Sequence, residues 1–192
     1  MNFLQKKIKA NKTKILQSIN IGELIEKSNY VQSKCINKKH PHEILGEWWS
    51  HTLPLKDLDD HFLASDNWDL PEDEVKKLRL FCDELTVYAE AVVDICFDDW
   101  HQLHTLEMHE NIRACFGNVL DFLPPWMVFP LYSERYLCWR MGLGEMYAAI
   151  HWVFLKDVLT NEEFELYKKT YPAPCYLPTR YRILTNDPEH TH

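Results

Sequence analysis

The sequence lacks the short motifs by which many enzymes are recognised. It contains no phosphate-binding glycine loop, no Gly-x-Ser-x-Gly elbow, no Cys-x-x-Cys pair and no His-Glu-x-x-His zinc pattern. The sequence therefore gives no local indication of nucleotide hydrolysis, serine hydrolysis, dithiol chemistry or zinc proteolysis. We therefore expect a protein without a cofactor and without catalytic activity.

The sequence is also poor in glycine and in long apolar runs. Only five of its 192 residues are glycine, which favours helices over a turn-rich β architecture. No apolar run is long enough to predict a membrane-spanning helix. The N-terminus has the lysines of a signal peptide but not its continuous apolar segment, so we expect a cytoplasmic protein that does not bind membranes. The six cysteines are widely spaced, and we interpret them as reduced, largely buried thiols.

Basic residues are missing from one long stretch, because no lysine or arginine occurs between Leu80 and Ile112. Residues 1–40 contain nine lysines and two glutamates, a charge of +7. Residues 41–192 carry -15, which gives the net charge of -8, and residues 57–99 alone carry -11. Such an acidic body repels a phosphate backbone, so nucleic acid is excluded as its partner, whereas a basic protein is favoured.

What the sequence does contain is a strongly periodic helical pattern that opens at Asp69. Asp69 is expected to cap the helix, with Pro71 in the first turn and three acids after it. Apolar residues then recur at steps of three and four as far as Cys96, which places them on one side of a single helix. Asp98 and Asp99 are expected to end it. The rest of the chain is expected to pack around this helix.

The whole pattern predicts an all-α, single-domain bundle of about six to eight helices. We expect a basic helical arm over 1–40, an acidic core over 41–170 and an extended Pro-rich tail over 171–192, with the arm lysines either in water or paired with the acidic helix. The remaining segments of the core carry their own local signals. We expect a helix from Trp100 to about Leu123, an extended turn at Pro124–Tyr132, a helix over Glu134–Leu159 containing the buried polar residues Glu145 and His151, and a capping box at Thr160–Glu163.

One cluster resembles a metal site in its residue types. Asp98, His101 and His104 would lie three residues apart on a helix, with Glu107 next. Imidazoles and carboxylates at that spacing share one helix face and can reach a common metal ion. A helical metalloenzyme that uses His101, His104 and Glu107 is therefore the alternative to a non-catalytic protein.

Acids interleaved with aromatic residues are typical of a surface that docks onto a cationic protein, since acids speed encounter and tryptophan anchors the complex. In size, acidity, helicity and lack of motifs the chain resembles bacterial immunity proteins, including those of contact-dependent inhibition systems. That resemblance implies a cognate basic toxin, such as a nuclease, held in a stoichiometric complex. A structural or adaptor protein is a further alternative. The predicted contact residues are Asp57, Asp59, Asp60, Asp66, Trp68, Asp69, Asp98, Asp99 and Trp100.

Overall fold

The computed structural model describes residues 13–14, 16–35, 71–97, 101, 104–130 and 142–173. Over these residues the protein is an all-α bundle, as predicted, and contains no β-strand. A 3-10 turn lies at Val119–Asp121 and a π-helical turn at Phe154–Val158. The α-helices are α1 (Ile21–Cys35), α2 (Glu72–Cys96), α3 (Leu106–Cys115), α4 (Pro125–Val128), α5 (Gly142–Val153) and α6 (Asn161–Thr170).

Helix α2 lies at the centre of the bundle. It packs against α1, α3, α4 and α5. Its inward side chains follow the predicted steps of three and four, since Leu78, Leu85, Tyr88 and Val92 are fully buried. The interpretation of this helix as the organising element is therefore confirmed.

The start of α2 differs from the prediction by two residues. Pro71 occupies the position just before the helix, with φ -55° and ψ 149°, and its carbonyl accepts the N–H of Val75 at 3.1 Å. The cap position is therefore Pro71, which has no side-chain capping bond, and not the expected Asp69, which lies outside the described residues. Three acids in the first turn, Glu72, Asp73 and Glu74, complement the positive end of the helix instead.

The second helical stretch is shorter than predicted. Thr105 has an extended backbone and its hydroxyl accepts the N–H of Met108 at 3.3 Å, so α3 begins at Leu106 and not near Trp100. It ends at Cys115 and not near Leu123. Beyond it Asn118 caps the 3-10 turn by accepting the N–H of Leu120 at 3.1 Å. The caps at Thr105 and Asn118 therefore divide a segment that the apolar periodicity alone predicts as one helix.

The turn after Pro124 is buried, as predicted, but it is not extended. Pro125 begins the one-turn helix α4, whose residues are all buried. Proline is favoured at a first helical position because its φ is already helical and its missing N–H has no partner there. The two prolines thus end one segment and begin a helix of their own.

Helix α5 and the π turn carry most of the long apolar segment that was predicted as one helix over Glu134–Leu159. The start of that prediction, residues 134–141, lies outside the described residues. Gly142 opens α5 with a φ of +69°, a conformation that glycine adopts readily. After α5 the helix widens into the π turn, where the N–H of Leu159 donates a hydrogen bond to the carbonyl of Phe154, five residues earlier, at 3.1 Å. This five-residue spacing was not predicted.

The capping box that opens α6 is confirmed. The hydroxyl of Thr160 accepts the N–H of Glu163 at 3.3 Å, and the Glu163 carboxylate accepts the N–H of Thr160 at 2.8 Å. The predicted tail over 171–192 falls almost entirely outside the described residues. Among the described cysteines, Cys82, Cys96 and Cys115 are buried thiols, as expected. None of the described helices combines the length and apolarity needed to span a membrane.

Candidate partner-binding surface

The nine residues predicted to contact a partner lie in segments 57–69 and 98–100, outside the described residues. Their role stays a prediction. What the structure does describe is the acidic helix between these two segments, α2, together with the part of the basic arm that forms α1. The disposition of charge on these two helices decides how much acidic surface is left for a partner.

Part of the arm's positive charge is neutralised within the molecule. Lys27 of α1 forms ion pairs with Glu23 in its own helix, at 2.5 Å, and with Glu84 of α2. The hydrogen bonds that Lys27 donates to these two carboxylates raise its pKa above the ordinary value. Lys34 pairs with Glu74 at 3.2 Å. Helix α1 of the basic arm therefore packs onto one flank of the acidic helix, an arrangement that sequence alone left open.

Aromatic side chains hold the same flank together. The Tyr30 hydroxyl of α1 donates a hydrogen bond to Glu74, and its ring meets the edge of Phe81 at a centroid distance of 5.5 Å. The Lys77 ammonium lies 4.0 Å from the centre of the Tyr30 ring, close enough for a cation–π interaction. The contact between α1 and α2 is thus both charged and apolar.

The opposite face of α2 points outward. Leu80 is 55% exposed and Val87 is 56% exposed, values that are high for large apolar side chains. Asp83 and Glu90 are exposed on the same side of the helix. Neither carboxylate forms an ion pair with any residue that the structure describes. The outward face of α2 therefore remains acidic after the ion pairs of α1 are counted.

The predicted metal cluster is not carried on one helix. His101 lies in a 3-10 turn and His104 in a turn before α3, so the argument that places His101, His104 and Glu107 on one helix face is wrong. Asp98 itself lies outside the described residues. Glu107, in the first turn of α3, is exposed. Periodicity failed here because Thr105 breaks the helix between the histidines and the glutamate.

His104 instead contacts the π turn. Its Nδ1 lies 2.9 Å from the Asp157 carboxylate, and Nε2 of His109 lies 4.0 Å from the same oxygen. Across the described ranges no group of three or more His, Cys, Asp or Glu side chains is arranged to hold a metal ion. The contact joins His104, which precedes the cap of α3, to Asp157 in the π turn.

A second connection joins α3 to the start of α6. The guanidinium of Arg113 forms a bidentate ion pair with the Glu163 carboxylate, with N···O distances of 2.8 Å and 2.7 Å. It also donates a hydrogen bond to the Val158 carbonyl at 2.5 Å. Arg113 and the backbone N–H of Thr160 together lower the pKa of Glu163 to about 2. This carboxylate therefore has two roles, as a helix cap and as the anchor of α3.

The charge on Glu163 should make stability depend on acid pH. The pKa of Glu163 falls from 4.5 to about 2 on folding, so its stabilisation is complete above pH 4.5 and is lost as the pH falls towards 2. Glu163→Gln keeps a cap of similar shape but removes the charge. We expect thermal melts of this variant to lose less stability between pH 7 and pH 3 than the native chain. Exposed Glu162→Gln is the control, and equal losses in native chain and Glu163→Gln would contradict the assignment.

Four tyrosines form a buried polar network that the sequence analysis missed. They come from α2, α5 and α6 and from the residue after α6, and each hydroxyl donates to a backbone carbonyl of residues 120–123. Buried tyrosines usually find such partners, so tyrosine at apolar helix positions was the available signal. The bonds are Tyr88 to Asp121 at 2.8 Å, Tyr147 to Leu123 at 2.6 Å, Tyr167 to Phe122 at 2.6 Å and Tyr171 to Leu120 at 2.6 Å.

His151 extends this network. It is 5% exposed, and its Nε2 lies 3.1 Å from the Tyr167 hydroxyl. Because Tyr167 donates its own proton to Phe122, the imidazole must be the donor of the second bond and carries its proton on Nε2. The expectation that His151 is a buried, hydrogen-bonded residue is confirmed. Glu145, expected to be buried as well, is only partly so.

No family model, curated protein or solved structure matches this chain. The acidic outward face of α2 and the buried network are therefore interpreted from their own geometry. The network contacts backbone carbonyls that would otherwise be unsatisfied, which is a structural role. The outward face has no comparable role in packing the described residues, so it is the candidate binding surface.

Proposed function

We propose that this chain is a non-catalytic binding protein whose acidic surface docks onto a basic protein and neutralises it. The form of this activity that we favour is that of an immunity protein, which acts in the cytoplasm and inhibits a cognate nuclease-type toxin. The observation that carries the proposal is the outward face of α2, where Asp83 and Glu90 stay exposed although α1 pairs with Glu74 and Glu84. Charge complementarity then selects a cationic partner.

The charge distribution supports steering as the first step of binding. Residues 57–99 carry a charge of -11 in the sequence, and α2 contributes carboxylates from its first turn to its last. Such a field raises the rate of encounter with a basic protein and falls in effect as salt is added. A nuclease is a natural target because its cleft must attract phosphate and is therefore basic.

The proposal is tested with the product of the neighbouring gene, expressed alone and together with this chain. We expect the neighbour to arrest growth alone, to be harmless in co-expression, and to elute with this chain as a stoichiometric complex. A complex that forms without restoring growth would support an adaptor role and overturn neutralisation. No complex, or a neighbour that is harmless alone, would overturn the immunity assignment.

The association rate gives a more direct test of steering. Changing Asp59, Asp60, Asp98 and Asp99 to Asn should slow association with that partner at low salt by about tenfold or more and flatten its salt dependence. Stopped-flow measurement at several ionic strengths checks this. An unchanged rate at low salt would mean that these acids do not guide the partner.

A further inference from the structure

The outward face of α2 has a regular internal pattern. Leu80 and Val87 are seven residues apart, which places them on the same side of the helix about 10 Å from one another. Each is followed three positions later by an exposed acid, Asp83 after Leu80 and Glu90 after Val87. An apolar residue with an acid beside it thus occurs twice at a helical repeat, and we name these four residues the α2 ridge.

The spacing of the ridge matches the contact pattern between two helices. In helix pairs two apolar positions repeat every seven residues along the seam, and charged residues beside the seam select the partner. Leu80 and Val87 supply one of these two rows. On the ridge the flanking charges are both negative, and the sequence has no lysine or arginine from Leu80 to the end of α2. A helix that packs here must therefore bring lysine or arginine beside its own apolar residues.

The basic arm of the same molecule is engaged elsewhere in its described part. Helix α1 pairs with Glu74 and Glu84, on the flank of α2, while Leu80 and Val87 remain more than half exposed. Glu84 lies one helical turn from both Leu80 and Val87, so the α1 contact borders the ridge. Both apolar side chains of the ridge nevertheless remain exposed with α1 in place.

We propose that the α2 ridge is the docking site for a basic amphipathic helix of the partner protein. The inference rests on the proposed function for the existence of that partner, but it specifies which surface binds and what structure binds to it. Leu80 and Val87 insert between apolar side chains of the incoming helix, while Asp83 and Glu90 pair with its cations. When a helix binds in this way, its specificity comes from anchoring side chains that repeat along one face of the helix.

The probe is a labelled synthetic helical peptide of about three heptads, with leucine every seventh residue and lysine at the flanking positions. A second peptide has the same composition in scrambled order. The ridge variant combines Leu80→Ser, Val87→Ser, Asp83→Asn and Glu90→Gln. Its matched control combines Leu166→Ser and Glu162→Gln on α6, where Leu166 is 49% exposed and Glu162 is also exposed.

We expect the patterned peptide to bind the native chain and the α6 control equally, as measured by fluorescence anisotropy, and the ridge variant about tenfold or more weakly. The affinity of the scrambled peptide for the native chain should be no higher than the affinity of the patterned peptide for the ridge variant. Circular dichroism of the ridge variant should match that of the native chain, because all four side chains are on the surface.

Equal binding of the patterned peptide by the native chain and the ridge variant would overturn the proposal, and so would equal binding of the scrambled peptide. A native chain that is dimeric by sedimentation, and monomeric as the ridge variant, would show that a second copy occupies the ridge. The neighbour's product separates the two hypotheses. If it is still neutralised by the ridge variant with unchanged affinity, the ridge proposal fails while the proposed function stands.

Discussion

Phe122→Ala is expected to lower the free energy of unfolding by about 3–5 kcal/mol, as large aromatic truncations in a packed core do. Phe122 is fully buried and stacks on Phe116 with ring centroids 4.6 Å apart. Its ring also meets Tyr147 at 5.5 Å, His151 at 5.6 Å and Phe154 at 4.7 Å. Removing it leaves a cavity at the point where the 3-10 segment meets α5 and the π turn.

Urea unfolding followed by circular dichroism measures this loss. The control is Val87→Ala, which shortens an apolar side chain that is 56% exposed and should change stability by less than about 0.5 kcal/mol. A loss below about 1 kcal/mol for Phe122→Ala would show that the surrounding helices collapse into the space, and the described packing around this ring would be wrong.

Tyr167→Phe is expected to destabilise the protein strongly although it removes a single oxygen. The Tyr167 hydroxyl donates to the Phe122 carbonyl and accepts from His151, all in a fully buried setting. Phenylalanine keeps the ring but satisfies neither group, and a buried polar group left without its partner costs about 1–3 kcal/mol. The expected total for the two groups is therefore about 2–6 kcal/mol.

The matched control is Tyr171→Phe, which removes one bond, at 2.6 Å, to the less buried carbonyl of Leu120. It should cost clearly less than Tyr167→Phe in the same unfolding experiment. Adding His151→Leu to Tyr167→Phe should recover part of the loss, because the imidazole no longer lacks its acceptor. Equal effects at the two tyrosines, with no coupling to His151, would contradict the proposed hydrogen-bond chain.

Several features that depend on neighbouring residues were predicted, although the local caps at Thr105 and Asn118 were missed. The buried side of α2 follows from the spacing of Leu78, Leu85 and Val92, and the start of α6 follows from Thr160 and Glu163 three residues apart. In each case the residues that specify the structure lie within one or two turns of each other. Short-range patterns of this kind are visible without knowledge of the rest of the fold.

Features that depend on distant residues were not predicted. The tyrosine network joins side chains to backbone carbonyls that are 24 to 51 residues away in the sequence. The residues around Tyr88 or Tyr167 therefore give no indication of which carbonyl accepts the hydrogen bond. The π turn at Phe154–Val158 lies in a segment whose apolar pattern suits an ordinary helix. Its geometry brings Asp157 towards His104, a contact between elements that are not adjacent in sequence.

The acidic character of the outward face of α2 was predicted, whereas the nine predicted contact residues lie outside the described residues and stay a prediction. The shortage of basic residues after Leu80 predicted an acidic face, and the exposed acids of α2 bear this out. Composition could not separate Glu74 and Glu84, which α1 neutralises, from Asp83 and Glu90, which stay exposed. Which carboxylates are neutralised depends on how α1 crosses α2, and that is a property of the folded chain.

The tyrosine network also bears on how this chain folds. Residues 120–123 have their carbonyls bound by side chains from α2, from α5, and from α6 with the residue that follows it. Closing such long loops carries an entropic cost before any of the bonds forms. We therefore expect the segment to reach its final geometry only when all three helices have docked, late in assembly. A helical bundle with mostly local contacts would fold quickly. Because the tyrosine hydrogen bonds couple the three helices, we expect this bundle to fold as one cooperative unit and more slowly.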